Sequence, residues 1–280
     1  MIHNILLTGS SGYLGGTLLA RLKRADLPPY GKVYALVRSE KQARCVQEYG
    51  AEPLFCDVDD HVQITTAIVD REISVIYFLI DAYNQTRQQV MIRALGKVKE
   101  RTGKIVHFVH TTGAKQFSRH GGVQHDRPLL DTDPMLYDIQ KSAAPPYKWF
   151  ARIWPVCHVS DNAALYLQIL RQILLGSDIG YNKDGFFLAA SGSIAWNDIY
   201  DAFAKALARR GVVDDSTVEQ ADETALKGMA EALGVDPSIV PFQVGGKYQI
   251  GWQPQYPPEH ILEAADAEVE LILKSLELDS

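Results

Sequence analysis

With 280 residues, the chain has room for one large α/β domain, or for one domain with a smaller appendage. Hydrophobic residues at 46% and charged residues at 22% are ordinary for a soluble globular protein. A net charge of −6 argues against a general binder of nucleic acid or of anionic membranes, while leaving room for a local basic pocket.

Three cysteines (Cys45, Cys56 and Cys157) stand far apart with no Cys-x-x-Cys pair. They suit reduced thiols in an intracellular protein better than a disulfide framework or a zinc site. No basic n-region opens the start MIHNILLTG, and the longest apolar runs, such as Val75 to Ile80, are of strand length. The expectation is a cytoplasmic protein that binds neither nucleic acid nor membrane.

The run Ile5-Leu6-Leu7 ends in Thr8 and leads into Gly9-Ser10-Ser11-Gly12-Tyr13-Leu14-Gly15. Apolar residues then fall at Leu14, Leu18, Leu19 and Leu22. That order predicts a buried strand, a tight glycine turn and an amphipathic helix. Gly9 permits the turn, Gly12 lets backbone approach a pyrophosphate, and Gly15 lets the helix pack closely on the strand. Free N–H groups at the helix start, with the helix dipole, favour an anion there. The other reading of these residues is a structural turn without a ligand. Their place at the first strand, where a doubly wound nucleotide-binding fold puts its phosphate loop, favours the former.

Pro28-Pro29-Tyr30-Gly31 forms a loop, and Lys32 to Arg38 reads as strand two. A carboxylate after this strand would bind the adenine-ribose 2′-hydroxyl of NAD. The chain offers Arg38, Ser39 and Lys41 instead. Guanidinium pairs with phosphate in a charge-assisted way, so NADP(H) is the preferred cofactor and NAD(H) the second choice. A solvated basic turn is the competing reading.

Glu40 to Tyr49 is the second helix, Glu52 to Cys56 a third strand, and Val75 to Ile80 a fourth. Between the last two, Asp57 caps the helix starting near Asp60 or faces a ligand. Gln85 to Arg101 is a helix, and Lys104 to Val109 a fifth strand ending in His110-Thr111-Thr112-Gly113. Five strands joined by helical crossovers predict a Rossmann-type doubly wound parallel sheet, with a smaller and mainly helical C-terminal part. The predicted division is 1–155 for the dinucleotide-binding domain and 156–280 for the rest.

Further on stands Tyr137-Asp138-Ile139-Gln140-Lys141. On a helix, Tyr137 and Lys141 lie on one face, one turn apart. A tyrosine pKa near ~10 is poorly matched to proton transfer at neutral pH, so an adjacent ammonium is what such chemistry needs. A surface i,i+4 pair is the alternative. Pro145 and Pro146 stop that helix soon after Lys141. Asn162 to Leu175 is apolar nearly all round, as a core helix is. Gly185 to Ala189 reads as a sheet strand, Ser193 to Trp196 as the opening of a helix to Ala208, and Pro257 to Leu276 as the last helix. The acidic stretch from Asp214 to Glu223 reads as a solvated face. His158 has no partner at ligand spacing, so no metal site is predicted and a hydrogen-bonded structural histidine is expected.

The loop Thr8-Gly9-Ser10-Ser11-Gly12-Tyr13-Leu14-Gly15 resembles the TGxxGxxG loop of the extended and atypical short-chain dehydrogenase/reductases, close to the NAD-dependent epimerase/dehydratase and NmrA-like groups. His158-Val159-Ser160-Asp161 and Gly251-Trp252-Gln253-Pro254 resemble two later landmarks of that family. The resemblance implies that Asp57-Val58 holds the adenine ring and that Asp81-Ala82-Tyr83 lies against ribose and nicotinamide. It also implies that Thr112, or its neighbour Thr111, orients the substrate oxygen. Tyr137 would then be the acid/base, and Lys141 its activator and a ligand of the cofactor ribose. A β–α–β unit needs about 30 residues or more, so there is no room for one between Lys141 and His158, where the chain lacks a βα unit of the family. The implied function is oxidoreduction of a small carbonyl, alcohol or sugar-like substrate, with a homodimer as a compatible assembly. A non-catalytic NAD(P)-binding sensor or scaffold, as NmrA-like proteins are, is the second reading. Exposed apolar surface near Trp149 and Trp154 would instead mark a chain that folds poorly for want of the unit.

Overall fold

Val75, Ile76, Tyr77 and Phe78 are buried on both faces of one strand, which sets them at the centre of a sheet covered on each side. The computed structural model describes residues 2–82, 85–117, 122–123, 129–143, 149–151, 153–233, 236–240 and 250–278. Contacts divide the chain into two compact units. The first takes residues 1–113, 162–179 and 250–252, and the second takes 114–161, 180–249 and 253–280. This division is interleaved, whereas the sequence suggested a single cut after residue 155.

In the first unit the strands are β1 (Asn4–Leu7), β2 (Val33–Val37), β3 (Glu52–Phe55), β4 (Ile73–Phe78) and β5 (His107–His110). They form one parallel sheet in the order β3-β2-β1-β4-β5. The crossovers carry α1 (Tyr13–Leu22), α2 (Glu40–Glu48), α3 (His61–Asp70) and α4 (Gln85–Thr102). The strand order reverses between β1 and β4, so the crevice beyond their carboxyl ends is where a doubly wound sheet takes its ligand. On one face Leu6, Ile76 and Phe78 pack with Ile64 and Ile68 of α3 and Met91, Leu95 and Val98 of α4. Each such aliphatic burial stabilises by about 1.5–3 kcal/mol. Tyr77 points to the opposite face, as alternation requires. There its hydroxyl donates to the Tyr166 carbonyl of α6 (Val159–Leu175) at 2.9 Å.

The second unit holds α5 (Leu136–Lys141), β6 (Trp149–Ala151), β7 (Ile153–Val156), β8 (Gly192–Ala195), α7 (Trp196–Arg209), α8 (Glu223–Leu233), β9 (Asp236–Val240), α9 (His260–Glu263) and α10 (Ala265–Leu278). β6 pairs with β9 in parallel, and β7 with β8 in antiparallel. Among the described residues, no strand extends the main sheet past β5. Trp154 is half-buried and packs with Phe117, Leu136 and Leu188. The Trp149 side chain lies outside the described residues.

Three expectations are corrected. Gly185 to Ala189 is not a strand: the Leu188 N–H donates to the buried Asp131 carboxylate at 3.4 Å, and Ala190 N–H to the Leu188 carbonyl. With those groups spent locally, the ladder forms later, at β8. Ser193, Ile194 and Ala195 therefore pair with Pro155, Trp154 and Ile153, and α7 begins at Trp196. The last helix is divided at Ala264 into α9 and α10, and it starts at His260.

Candidate dinucleotide site

Thr8, fully buried at the end of β1, ties that strand to β4 through both atoms of its hydroxyl. Its Oγ1 donates to the Tyr77 carbonyl at 3.1 Å and accepts from the Leu79 N–H at 2.9 Å. The chain then turns through Gly9 at φ +67°, in the left-handed region that glycine adopts without strain. Gly12 caps α1 in extended conformation with no side-chain hydrogen bond, and the first turn of α1 holds no acidic residue. The first N–H groups of a helix have no intrahelical partner. At Gly15 a Cβ would lie 2.1 Å from the Gly9 carbonyl oxygen. Only glycine fits there, and the close approach aims the start of α1 at the end of β1. Uncapped, unopposed by carboxylate and reached by bare backbone, this cradle fits a pyrophosphate.

Around it, the buried Ser10 hydroxyl donates to the Leu36 carbonyl of β2 at 3.3 Å. Ser11, Tyr13 and Leu14 line the outer side of the turn, with Tyr13 73% exposed. Arg38 and Lys41 are exposed at the carboxyl end of β2 and the first turn of α2, with Ser39 as the N-cap between them. Gln42, which sequence reasoning passed over, joins these parts. Its side-chain oxygen accepts from the Arg38 N–H at 2.8 Å, and its amide group donates to Ser11 Oγ at 3.1 Å. A signal was present, since Ser39-Glu40-Lys41-Gln42 has the spacing of a capping box.

The open reading of Asp57 is resolved in part. The α3 N-cap is Asp60, whose carboxylate accepts from Val62 and Gln63 N–H. Asp57 is exposed after β3, where it accepts from the Asp59 N–H at 2.9 Å, and Val58 packs partly into the core. Asp59 takes both arms of Arg87 at 2.7 Å, and Arg87 reaches Asp81 at 3.7 Å. This second clamp links the ends of β3 and β4 and was also missed. Tyr83 lies outside the described residues. At the end of β5 the hydroxyls of Thr111 and Tyr166 are 2.5 Å apart, while Thr112 is exposed. Burial lowers the His110 pKa, against the pull of the nearby Asp81 carboxylate.

No family model matches the sequence, and no curated protein matches it. Solved structures do. The terminal R domain of the myxalamid PKS-NRPS pathway superposes with a TM-score of 0.57 at 11% identity, over 98% of this chain and 91% of its own. The enzyme WbmG of Bordetella bronchiseptica, solved with NAD, gives 0.56 at 11% identity, over 95% and 94%. The UDP-Glc/GlcNAc 4-epimerase of Campylobacter jejuni gives 0.52 at 12% identity, over 95% and 98%. What these likenesses show is the fold, a Rossmann-type parallel sheet with flanking helices.

The glycine turn, Arg38, Asp57, Val58 and Thr112 belong to the first unit, and Tyr137 and Lys141 to the second. The latter two occupy the six-residue α5, whose Leu136 and Ile139 pack into the local core. Tyr137 is half-buried, and the Lys141 ammonium lies 5.7 Å from its ring centre on the exposed side. His158 has the structural role expected of it: its Nδ1 accepts from the Ser160 N–H at 3.2 Å, and its ring meets Tyr256 at 4.0 Å. Among the described residues no group of His, Cys, Asp and Glu is arranged to hold a metal ion, and no helix is long and apolar enough to cross a membrane.

Proposed function

We propose that the chain is an NADP(H)-dependent oxidoreductase acting on a small carbonyl, alcohol or sugar-like substrate. The observation that carries this reading is the uncapped start of α1 behind Gly9 and Gly15, with Arg38 and Lys41 exposed at the exit of β2. The α1 N–H groups would hold the pyrophosphate, and the two cations the ribose 2′-phosphate. Asp57 and Val58 would border the adenine. When bound, the nicotinamide supplies or takes up the hydride. The exposed Thr112 hydroxyl would hydrogen-bond the substrate oxygen. In the reducing direction Tyr137 would give its phenolic proton to the substrate oxygen, the bound cofactor supplying the hydride to the carbonyl carbon. The Lys141 ammonium, one helical turn on from Tyr137, would bind the cofactor ribose.

A second reading, a non-catalytic dinucleotide sensor or scaffold, is favoured by the brevity of α5 and the exposure of Lys141. One experiment separates the two. NADPH and NADH are titrated against tryptophan fluorescence, and turnover is then followed at 340 nm across a panel of carbonyl compounds with Tyr137→Phe beside the wild type. Binding with Tyr137-dependent turnover supports the reductase. Binding without turnover on any member of the panel supports the sensor, and failure to bind either nucleotide sinks both.

A further inference from the structure

Gln42 uses both polar atoms of its side chain to join two separate segments. Its oxygen holds the Arg38 N–H at the exit of β2, and its nitrogen holds the Ser11 hydroxyl in the glycine turn, 31 residues away in sequence. Its backbone is held in turn, because its own N–H donates to the Ser39 cap at 3.3 Å. The side chain is half-buried, so this is an anchored bridge and not a trailing surface group. Its two ends are the segments to which the pyrophosphate and the 2′-phosphate are assigned above.

We propose that Gln42 is a positioning residue that sets the preference between a 2′-phosphorylated and an unphosphorylated dinucleotide. This rests on the dinucleotide reading of the site. In one ligand molecule the pyrophosphate and the 2′-phosphate are joined through a ribose, so their separation varies little. A protein bridge that holds the two receiving segments at a set spacing favours the ligand that engages both, because their alignment is settled before binding. A ligand with pyrophosphate alone engages the glycine turn and gains little from the register of Arg38.

The test measures dissociation constants for NADPH and NADH on the full chain by tryptophan quenching. Wild type is compared with Gln42→Leu, which removes both bonds, with Ser11→Ala, which removes one end of the bridge, and with the double variant. Gln42→Leu should weaken NADPH about tenfold and NADH by no more than about twofold, the scale of one to two lost hydrogen bonds. Ser11→Ala should shift the ratio in the same direction, and the double variant should shift it no further than Gln42→Leu alone. An NADPH-to-NADH ratio that stays at the wild-type value in both single variants overturns the proposal, even if both affinities fall together. That result is distinct from a wild-type chain that binds neither nucleotide, which would overturn the dinucleotide reading and this one with it. If Gln42→Leu fails to fold, Ser11→Ala, on an exposed turn, carries the decision.

Discussion

Thr111 Oγ1 stands 2.5 Å from the hydroxyl of Tyr166, a residue 55 positions later in the chain. Tyr166 also accepts the Tyr77 hydroxyl at its own carbonyl, so the carboxyl end of β5 is stitched to α6 and β4. Of the two adjacent threonines, Thr111 is thus committed to the fold and Thr112 is exposed. Thr111→Val should cost about 1–2 kcal/mol of unfolding free energy and leave turnover within a few-fold of wild type. Thr112→Val should leave the melting curve in place and slow turnover by about a hundredfold. Steady-state kinetics beside thermal melts would check both, and the opposite pattern would exchange the two roles.

Gly15 tests the cradle. A methyl group there meets the Gly9 carbonyl oxygen at 2.1 Å, whereas one on Gly16 lies 3.4 Å from the Ser10 carbonyl. Gly15→Ala should destabilise by about 1–3 kcal/mol and abolish nucleotide binding, because the start of α1 must move. Gly16→Ala, a helix-interior change without a clash, should bind as wild type and be slightly more stable. Urea unfolding and nucleotide titration of the pair would decide it, and equal behaviour of the two variants would count against the cradle.

His107 and His3 give the fold an acid limit. Their rings lie 5.6 Å apart, both are buried, and His3 Nδ1 shares a 2.9 Å hydrogen bond with Ser74. Burial, with His3 beside it, pushes His107 down to about 4, and burial followed by nearby positive charges lowers His3. Both therefore bind protons more weakly in the folded chain than in the unfolded one, whose histidines titrate near ~6.5. The stability they contribute is whole above that pH and is lost as pH falls towards about 4, by up to about 3 kcal/mol for His107. Urea midpoints measured between pH 7 and 4.5 should fall steadily, and more gently in His107→Gln. An equal slope in wild type and variant would remove His107 from the account.

Asp161 anchors the turn after Trp252. Its carboxylate, 1% exposed, accepts from the N–H groups of Gln255 at 3.0 Å and Tyr256 at 2.9 Å. Asp161→Ala leaves two backbone donors without that acceptor and should cost about 2–4 kcal/mol. Asp161→Asn keeps one acceptor oxygen and should recover part of the loss. Equilibrium unfolding would show the order wild type, Asn, Ala, and an alanine variant as stable as wild type would contradict the role.

The local parts of this protein were legible in its sequence. Residues 5–22 declare strand, glycine turn and helix because burial, positive φ and helical periodicity are properties of neighbouring residues. The parallel sheet followed from five apolar runs spaced by helical crossovers. What the sequence could not settle depends on partners distant along the chain. Gly185 to Ala189 has strand composition, but Asp131 claims the Leu188 N–H, and β8 forms where β7 offers a ladder. The bridge from Gln42 to Ser11 and the choice between Thr111 and Thr112 rest on atoms 31 and 55 residues apart in sequence. Propensity and periodicity carry no information about which distant donor meets which acceptor, because that pairing exists only once the sheet has set its register. The sequence by itself determined the sheet and its glycine turn. Tertiary structure alone decided which side chains lock that turn and which remain exposed beside it.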